Sequence, residues 1–397
     1  MDVLQALSEP AHAPILCLEM HTCGEPTRII LKNHPPLSGT LLQQRIQAKQ
    51  QYDHIRRRLM LEPRGHADMY GAILVPATEL TETGESHIGV LFTHNEGFSA
   101  MCGHATIALG RFLVDTRDEE VFPGRSRVVI DEADRTATVN LHAPCGNVVV
   151  TVPVTAEHKS DPSRPVSFVS VACFVTALDL EVQIPAEYRW SALGARTSVV
   201  VDVSFGGAFT CLISAQELGF GETGLKQGAD LAALSHAANM LKQALTTTTK
   251  YDSLFTHPQH KELDTLYTTV VVDKALGKPA KGSKGAETGL CFFADQQIDR
   301  SPTGSAVGAR LAVAYARGEL KLGESWTYHS LVSDAMDGEG GFVGTPFVED
   351  ETFSAHGIKG VRVKVEGHAY YTGFHTFVVE EEDRLGKEGF LFSSLRK

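Results

Sequence analysis

The sequence lacks the features of several large classes of protein. No apolar run is long enough to span a bilayer, and the 36 Lys and Arg residues are outnumbered by 48 Asp and Glu, giving a formal net charge of −12 at pH 7. An acidic chain without basic runs disfavours nucleic acid and anionic membranes as partners. The chain has 17 histidines but contains neither a C-x-x-C nor an H-E-x-x-H motif, so a metal site has little support. We expect no metal.

Cysteine is also sparse. The 7 cysteines are odd in number and scattered, which argues against a disulfide framework and favours a reducing compartment. Residues 1–14 show neither the basic nor the apolar region of a signal peptide, so we expect a cytoplasmic protein. With 397 residues, 43% of them hydrophobic, the chain is long enough for two domains with full cores.

A thiol stands at the predicted start of an apolar helix. A strand-like run at 90–92 and a polar loop at 93–97 precede Met-Cys-Gly-His at 101–104, and residues 107–114 are apolar on almost every side, as in a buried helix. This places Cys102 at or near the N-cap, where unpaired N–H groups and the helix dipole favour an anion. Such a site can lower a thiol pKa from about 8.5 to between about 3.5 and 7.5, which suits a base or nucleophile. A cysteine before a helix is also commonly a small buried apolar residue, and this interpretation stays open.

The same pattern recurs in the second half of the chain. A strand-like run at 290–293, a loop at 294–302 and the motif Thr-Gly-Ser-Ala at 303–306 lead into a second apolar helix, predicted over 307–315. Cys102 and Thr303 follow their strands at the same distance, which indicates a pseudo-repeat of half-chain size. Two such helix N-termini facing each other would bind a carboxylate, because Gly103 and Gly304 let backbone amides approach it closely.

The remaining pattern favours antiparallel sheet. A polar turn is predicted at 21–28, an amphipathic surface helix over 41–61 that ends before Pro63, and a further helix over 231–245. The three strands predicted after the first apolar helix, between 128 and 152, follow one another at intervals of roughly eight to twelve residues, which is typical of a meandering antiparallel sheet around that helix. The predicted strands of the whole chain are 15–18, 69–75, 128–130, 137–141, 148–152, 198–203, 267–272, 326–330, 341–343, 360–365 and 376–380.

These motifs together resemble the proline racemase family, over nearly the whole chain. The resemblance lies in Met-Cys-Gly-His at 101–104 and Asp-Arg-Ser-Pro-x-Gly at 299–304, with further motifs at 21–26, 62–66, 204–207 and 369–373. Racemases and 4-hydroxyproline epimerases of the family carry a second cysteine where this chain has Thr303. The Cys…Thr version resembles the trans-3-hydroxy-L-proline dehydratases of that family. Cys23 and Ala306 depart from the pattern, since glycine is common at both positions.

The resemblance implies an α/β (α+β) fold like that of diaminopimelate epimerase. Such a fold has two pseudo-symmetric halves, each a mainly antiparallel, barrel-like sheet around a central helix. We expect the first half over 1–195 together with the C-terminal segment 370–397, and the second over 196–369. The active site would lie in the cleft between them. The oligomeric state, a homodimer included, stays open.

The resemblance also implies a role for each site residue. Cys102 would be the general base that removes the α-proton of a small imino acid. The helix N-termini would hold its carboxylate through Gly103, His104, Gly304 and Ser305. Asp299 would accept a hydrogen bond from the ring nitrogen, the alternative being a loop or capping carboxylate. Thr303 would either bind the departing hydroxyl or fill the space of the missing thiol. No cofactor is implied.

The threonine can be interpreted chemically. A racemase needs an acid/base group on each face of the ring, and a Thr hydroxyl is far too weak an acid for that task near neutral pH. With Cys102 as the sole base, a hydroxyl at C3 makes loss of water the productive outcome, and the product is Δ1-pyrroline-2-carboxylate. We therefore expect a lyase, a cofactor-independent hydro-lyase. The alternatives are a proline racemase or 4-hydroxyproline epimerase, with Cys23 replacing the lost thiol, and an inactive carboxylate-binding paralogue.

Overall fold

Strands dominate the computed structural model, which describes residues 2–7, 9–10, 13–392 and 395. The β-strands, in chain order, are β1 Ile15–Thr22, β2 Glu25–Lys32, β3 Tyr70–Val75, β4 Ile88–His94, β5 Phe98–Ser99, β6 Val129–Asp131, β7 Thr136–Ala143, β8 Gly146–Pro153, β9 Val166–Val169, β10 Cys173–Gln183, β11 Ser198–Phe205, β12 Phe209–Ser214, β13 Leu266–Asp273, β14 Ala286–Phe293, β15 Gln297–Ile298, β16 Trp326–His329, β17 Phe342–Asp350, β18 Gly360–Gly367 and β19 Ala369–Phe377. The α-helices are α1 Val3–Leu7, α2 Leu41–Gln51, α3 Asp53–Met60, α4 Glu79–Glu82, α5 Gly103–Asp115, α6 Leu231–Thr246, α7 Gly304–Ala316 and α8 Leu331–Ala335. No described helix is both long and apolar enough to cross a membrane.

The chain divides into two units. Unit 1 comprises residues 1–167 and 368–397, and unit 2 comprises residues 168–367. The sequence-based division placed the boundary between 195 and 196, which lies between β10 and β11 in the structure. These strands pair with each other in antiparallel register and both lie in unit 2. The difference arises because β10 was not among the predicted strands.

Unit 1 is a sheet around the helix that follows Cys102. Its strands pair in the order β19–β1–β2–β3–β4–β7–β8, with β2–β3 and β4–β7 parallel and the other pairs antiparallel. Helix α5 contacts β1, β2, β7, β8 and β19, and nearly all of its residues are buried. Gly110 lets α5 approach β8, because a Cβ there would lie 2.5 Å from Val150 Cγ1. The predicted all-round burial of this helix is confirmed.

Unit 2 is a closed barrel around the second apolar helix. Strands β10, β11, β12, β13, β14, β16, β17 and β18 pair in that order, and β18 pairs back with β10. Helix α7 contacts β10, β11, β12, β17 and β18. At Gly206 the barrel wall meets α7 so closely that a Cβ would lie 2.1 Å from the carbonyl oxygen of Ser305. The expected α/β fold, with a mainly antiparallel sheet around one helix in each half, is confirmed.

The two units repeat one local plan. In unit 1 a strand, a short return strand and a helix follow one another as β4, β5 and α5, and in unit 2 as β14, β15 and α7. Both short strands pair antiparallel with the strand before them, and both helices have 13 residues. The predicted pseudo-repeat is thus present in the structure.

Several local predictions were wrong. The turn predicted at 21–28 is only Cys23 and Gly24, whose φ angles of 52° and 78° suit a two-residue hairpin. The helix predicted over 41–61 is two helices, α2 and α3, which meet at Tyr52. The last strand ends at Phe377 instead of covering 376–380. These three predictions rest on local composition, whereas pairing and packing between distant segments set the actual bounds of the elements.

Candidate active site

Cys102 is the N-cap residue of α5. Its backbone is extended, with φ −145° and ψ 110°, and its Sγ accepts a hydrogen bond from the Ala105 N–H at 3.4 Å. The hydroxyl of Thr106 donates to the Cys102 carbonyl at 2.7 Å, which fixes the backbone of the cap. The predicted N-cap position is therefore confirmed. A thiolate at this point is stabilised by the unpaired N–H groups and the positive end of the helix dipole.

His104 packs its ring against this thiol. Its Nδ1 lies 3.2 Å from Cys102 Sγ, and its ring meets Tyr70 edge-on with centroids 4.9 Å apart. The Tyr70 hydroxyl in turn hydrogen-bonds Ser99. An imidazole N–H that donates to sulfur favours the thiolate, because hydrogen bonds to a charged acceptor are the stronger ones. Cys102, Gly103 and His104 therefore form one site at the start of α5, and this site favours a negative charge.

The motif at 21–26 supports the same helix. The hydroxyl of Thr22, which is fully buried, donates to the carbonyl oxygen of His104 at 2.9 Å. The N–H of Gly24 donates to His21 Nδ1 at 3.1 Å across the tight turn. This hairpin therefore holds the first turn of α5 in place through a residue far away in the sequence.

In unit 2, Asp299 and Thr303 form one hydrogen-bonded group. The Thr303 hydroxyl donates to Asp299 Oδ2 at 2.7 Å, and the Ser301 N–H donates to Asp299 Oδ1 at 2.7 Å. The Thr303 N–H donates to Ser301 Oγ at 3.1 Å. Thr303 is the N-cap of α7 at φ 60°, which is unusual for a β-branched residue, and these bonds hold it there. Gly304 and Ser305 follow as the first, buried residues of α7.

Sequence reasoning missed Arg310, which supports Thr303 from within the helix. Its side chain is buried, its Nη2 donates to the carbonyl oxygen of Pro302 at 3.0 Å, and its Nη1 pairs with Glu287 Oε1 at 3.2 Å. Its guanidinium also lies over the ring of Tyr328, 4.5 Å from the centroid. A single charged residue within the otherwise apolar run 307–315 was the signal that could have indicated it.

Two further motifs stabilise the fold of unit 1. Arg64, in the motif at 62–66, donates to the carbonyl oxygens of Val378 (2.7 Å) and Gly386, and so holds the C-terminal segment. Gly65 leaves no room for a Cβ, which would lie 2.2 Å from Met60 O. In the motif at 369–373, the Tyr371 hydroxyl donates to Asp115 Oδ2 at 2.7 Å, at the end of α5. Among the described residues, no cluster of three or more His, Cys, Asp or Glu is arranged to hold a metal ion.

Known proteins of one family match this chain over nearly its whole length. The family model described as "Proline racemase" matches residues 17–391. Proteins named trans-L-3-hydroxyproline dehydratase in Pongo abelii and trans-3-hydroxy-L-proline dehydratase in Homo sapiens are 41% and 40% identical, each over 96% of this chain and 97% of their own. A protein of Colwellia psychrerythraea with the latter name is 34% identical over 97% of this chain and 94% of its own.

Two solved structures share the fold. One is a probable proline racemase from Agrobacterium radiobacter with bound carbonate, which has a TM-score of 0.76 and 21% identity and covers 96% of this chain and 97% of its own. The other is a hydroxyproline epimerase from Agrobacterium vitis with bound trans-4-hydroxy-L-proline, which has a TM-score of 0.74 and 20% identity and covers 96% of both chains.

Proposed function

Because this chain belongs to the proline racemase family, we propose that it is a trans-3-hydroxy-L-proline dehydratase. The observation that carries the proposal is the pair of N-cap residues, a cysteine on α5 and a threonine on α7. Relatives named as dehydratases, which align with this chain over nearly their whole length, support it. We propose that both N-caps act on one substrate molecule, with α5 and α7 directed at its carboxylate.

In this proposal Cys102 is the general base. The Ala105 N–H, the dipole of α5 and the ring of His104 stabilise its thiolate, which removes the α-proton. The electron pair of the broken C–H bond is stabilised through the carboxylate, which the N–H groups of Gly103, His104, Gly304 and Ser305 would hold.

Asp299 is the proposed partner of the ring nitrogen. Each of its carboxylate oxygens already accepts one hydrogen bond, from Ser301 and from Thr303. An ionised carboxylate only accepts hydrogen bonds, so it is a suitable partner for the N–H of a substrate ring nitrogen. Thr303 itself donates to Asp299 and therefore directs its hydroxyl proton away from the substrate. This bond supports the passive role for Thr303, as a residue that occupies the place of a second thiol and orients Asp299.

The stereochemistry of the substrate determines which group can protonate the leaving hydroxyl. In trans-3-hydroxy-L-proline the 3-hydroxyl is trans to the carboxylate, so it lies on the same ring face as the α-hydrogen. A base that takes that hydrogen thus carries a proton on the face from which the hydroxyl departs. The Cα–H and C3–O bonds break, a Cα=C3 double bond forms, and the thiol proton leaves with hydroxide as water. The resulting enamine tautomerises to Δ1-pyrroline-2-carboxylate.

An assay on three substrates tests the proposal. The purified protein is incubated separately with trans-3-hydroxy-L-proline, L-proline and trans-4-hydroxy-L-proline, and the imine is detected with o-aminobenzaldehyde while optical rotation is recorded. We expect imine from the 3-hydroxy compound alone. A change in rotation without imine would instead indicate a racemase or epimerase. No reaction with any of the three would indicate an inactive carboxylate-binding protein.

A further inference from the structure

Unit 2 contains a cavity that the proposed reaction does not use. Its volume is about 940 Å³, and all the residues that line it lie between 202 and 328. At α7 it is lined by Arg310, Val313, Ala314 and Arg317, towards the C-terminal end of the helix. Thr303 lies at the N-terminal end, and an α-helix rises 1.5 Å per residue, so Val313 is about 15 Å further along. The cavity is therefore distinct from the N-cap site.

The wall of this cavity combines apolar surface with charges of both signs. Its acidic residues are Asp202, Asp273, Glu287 and Glu319, and its basic residues are Lys274, Arg310 and Arg317. Its larger apolar and aromatic residues are Leu212, Ile213, Val272, Val313, Leu320, Trp326 and Tyr328. Each of the three cations pairs with one of these carboxylates, so no basic group is in excess, which disfavours phosphate-bearing ligands. The pairs are Arg310–Glu287, Arg317–Asp202 and Lys274–Glu319. A ligand that carries both an ammonium and a carboxylate group matches such a wall.

Two buried N–H donors in this wall have no hydrogen-bond acceptor among the described residues. They are Arg310 Nε and Trp326 Nε1. The other guanidinium nitrogens of Arg310 are engaged by Glu287 and by the Pro302 carbonyl. A buried donor without an acceptor is unfavourable, and a bound carboxylate removes that cost. Small-molecule sites are typically apolar cavities of about 300–1,000 Å³ with a few polar groups of this kind.

We propose that this cavity is a second ligand site, and that it binds a zwitterionic amino acid or dipeptide with a large apolar or aromatic side chain. The side chain packs among Leu212, Ile213 and Leu320, and the ammonium group meets Asp273, the acidic residue of the wall that lies outside those three ion pairs. The ligand carboxylate accepts from the unpaired donors of Arg310 and Trp326.

A ligand at this site would also bear on the N-cap of α7. Arg310 joins the cavity wall to the Pro302 carbonyl, one residue before Thr303. We therefore expect occupancy to change the turnover of the enzyme, an expectation that rests on the proposed function. The binding itself is tested without any measurement of activity.

Fluorine NMR provides that test, because the chain has only 2 tryptophans. Trp326 lines the cavity, whereas Trp190 is buried with its Nε1 donating to Leu218 O at 2.9 Å. Full-length protein labelled with 5-fluorotryptophan gives two signals, which Trp326→Phe assigns. We expect L-phenylalanine or the dipeptide Leu-Phe to shift the Trp326 signal saturably, and to do so equally in Cys102→Ser. N-acetyl-L-phenylalanine amide, which lacks both charges, should bind at least about tenfold more weakly, a loss of about 1.4 kcal/mol.

Two variants fill the cavity and one serves as their control. Ala314→Phe and Ala275→Phe, each at a cavity-lining alanine, should abolish the shift, while Ala133→Phe on an exposed turn of unit 1 should retain it. An unchanged Trp190 signal shows that each variant is folded. Which of the two probes binds more tightly distinguishes a free amino acid from a peptide. The proposal is overturned if neither probe shifts the Trp326 signal, if both filled variants still respond, or if Cys102→Ser loses the response.

Discussion

At the scale of single residues, the chemistry depends on the polar groups around each buried cysteine. Cys102 lies at a helix N-cap beside His104, whereas Cys17 and Cys173 lie within the two cores. Burial raises the pKa of Cys17 to about 12 and that of Cys173 to about 12. Those two thiols stay protonated near neutral pH and are poor nucleophiles there. The same side chain type therefore serves as packing at two positions and as the proposed base at a third.

We expect Cys102→Ser to abolish dehydration, since a hydroxyl is far too weak an acid to be ionised at this position. General base catalysis contributes about 10²–10⁴-fold, so the rate of imine formation should fall by at least that factor. Cys17→Ala is the matched control and should keep the rate of the parent protein. If Cys102→Ser retained most of its activity, Cys102 would not be the base.

Alkylation gives an independent measurement at the same residue. Iodoacetamide at neutral pH should label Cys102 and leave Cys17 and Cys173 unmodified, as determined by peptide mass spectrometry. Pyrrole-2-carboxylate, a planar analogue of the proposed carbanion, should slow both the labelling of Cys102 and the loss of activity. Labelling of Cys17 before Cys102 would contradict the assignment.

Thr303 determines the outcome of the reaction in our proposal. Thr303→Cys should introduce racemisation of L-proline, because it places a second acid/base group at the N-cap of α7. Optical rotation measures this directly. Thr303→Ser keeps a hydroxyl that can donate to Asp299 and should show no racemisation. If Thr303→Cys is folded and still racemises nothing, residue 303 does not face the substrate opposite Cys102.

At the scale of elements, α7 is positioned by a buried ion pair. The side chains of Arg310 and Glu287 are 4% and 8% exposed, so neither charge is solvated, and each depends on the other. Arg310 also supplies the donor for the carbonyl group of Pro302, which leads into the N-cap. The Arg310 side chain thus links the barrel wall at β14 to Pro302, the residue before the Thr303 N-cap.

Removal of one partner should cost more than removal of both. Arg310→Met leaves the Glu287 carboxylate buried and unpaired, and should lower the free energy of unfolding by about 3–5 kcal/mol in urea denaturation. The double variant with Glu287→Met should recover a large part of this stability. Both the single and the double variant should have reduced turnover, because the Pro302 carbonyl has lost the Arg310 donor in each. Equal stability of the single and double variants would show that the pair is not coupled.

The loss of turnover should extend to removal of the α-proton. Hydrogen exchange at Cα in deuterated solvent depends on Cys102 and on the groups at the start of α7 that are proposed to bind the substrate, so it should decrease in the double variant together with imine formation. Mass spectrometry of the recovered substrate measures the first rate, and the o-aminobenzaldehyde assay measures the second. Exchange at the parental rate with slower imine formation would contradict this, since Arg310 would then act on the departure of the hydroxyl alone.

At the scale of the whole molecule, histidine burial makes stability depend on pH. Burial lowers the pKa of His257 from 6.5 to about 4, and it also lowers the pKa values of His21, His34, His87 and His142. The ring of His257 accepts two backbone hydrogen bonds at Nδ1, from the N–H groups of Gln259 and His260, and these require its unprotonated form.

The sign of the effect follows from these directions. Between about pH 6.5 and 4 the unfolded chain binds protons at these histidines that the folded chain excludes, so stability rises with pH over that range. We expect the urea midpoint of unfolding to decrease as the pH falls through this window. His257→Gln, which removes one such site, should reduce the slope. A midpoint that is constant or increases towards acid would contradict the assigned burial.

Local features of the sequence determined the proposed chemistry. The N-cap at Cys102, its counterpart at Thr303 and the two apolar helices could be predicted, because caps and apolar runs are set by neighbouring residues. The alternation of strands and the family resemblance were also sufficient for the fold class. Only the tertiary structure decided the position of β10, the bond between Thr303 and Asp299, and the burial of Arg310 against Glu287. Those features depend on pairing and charge burial between distant segments, whose energies are not encoded in any local pattern.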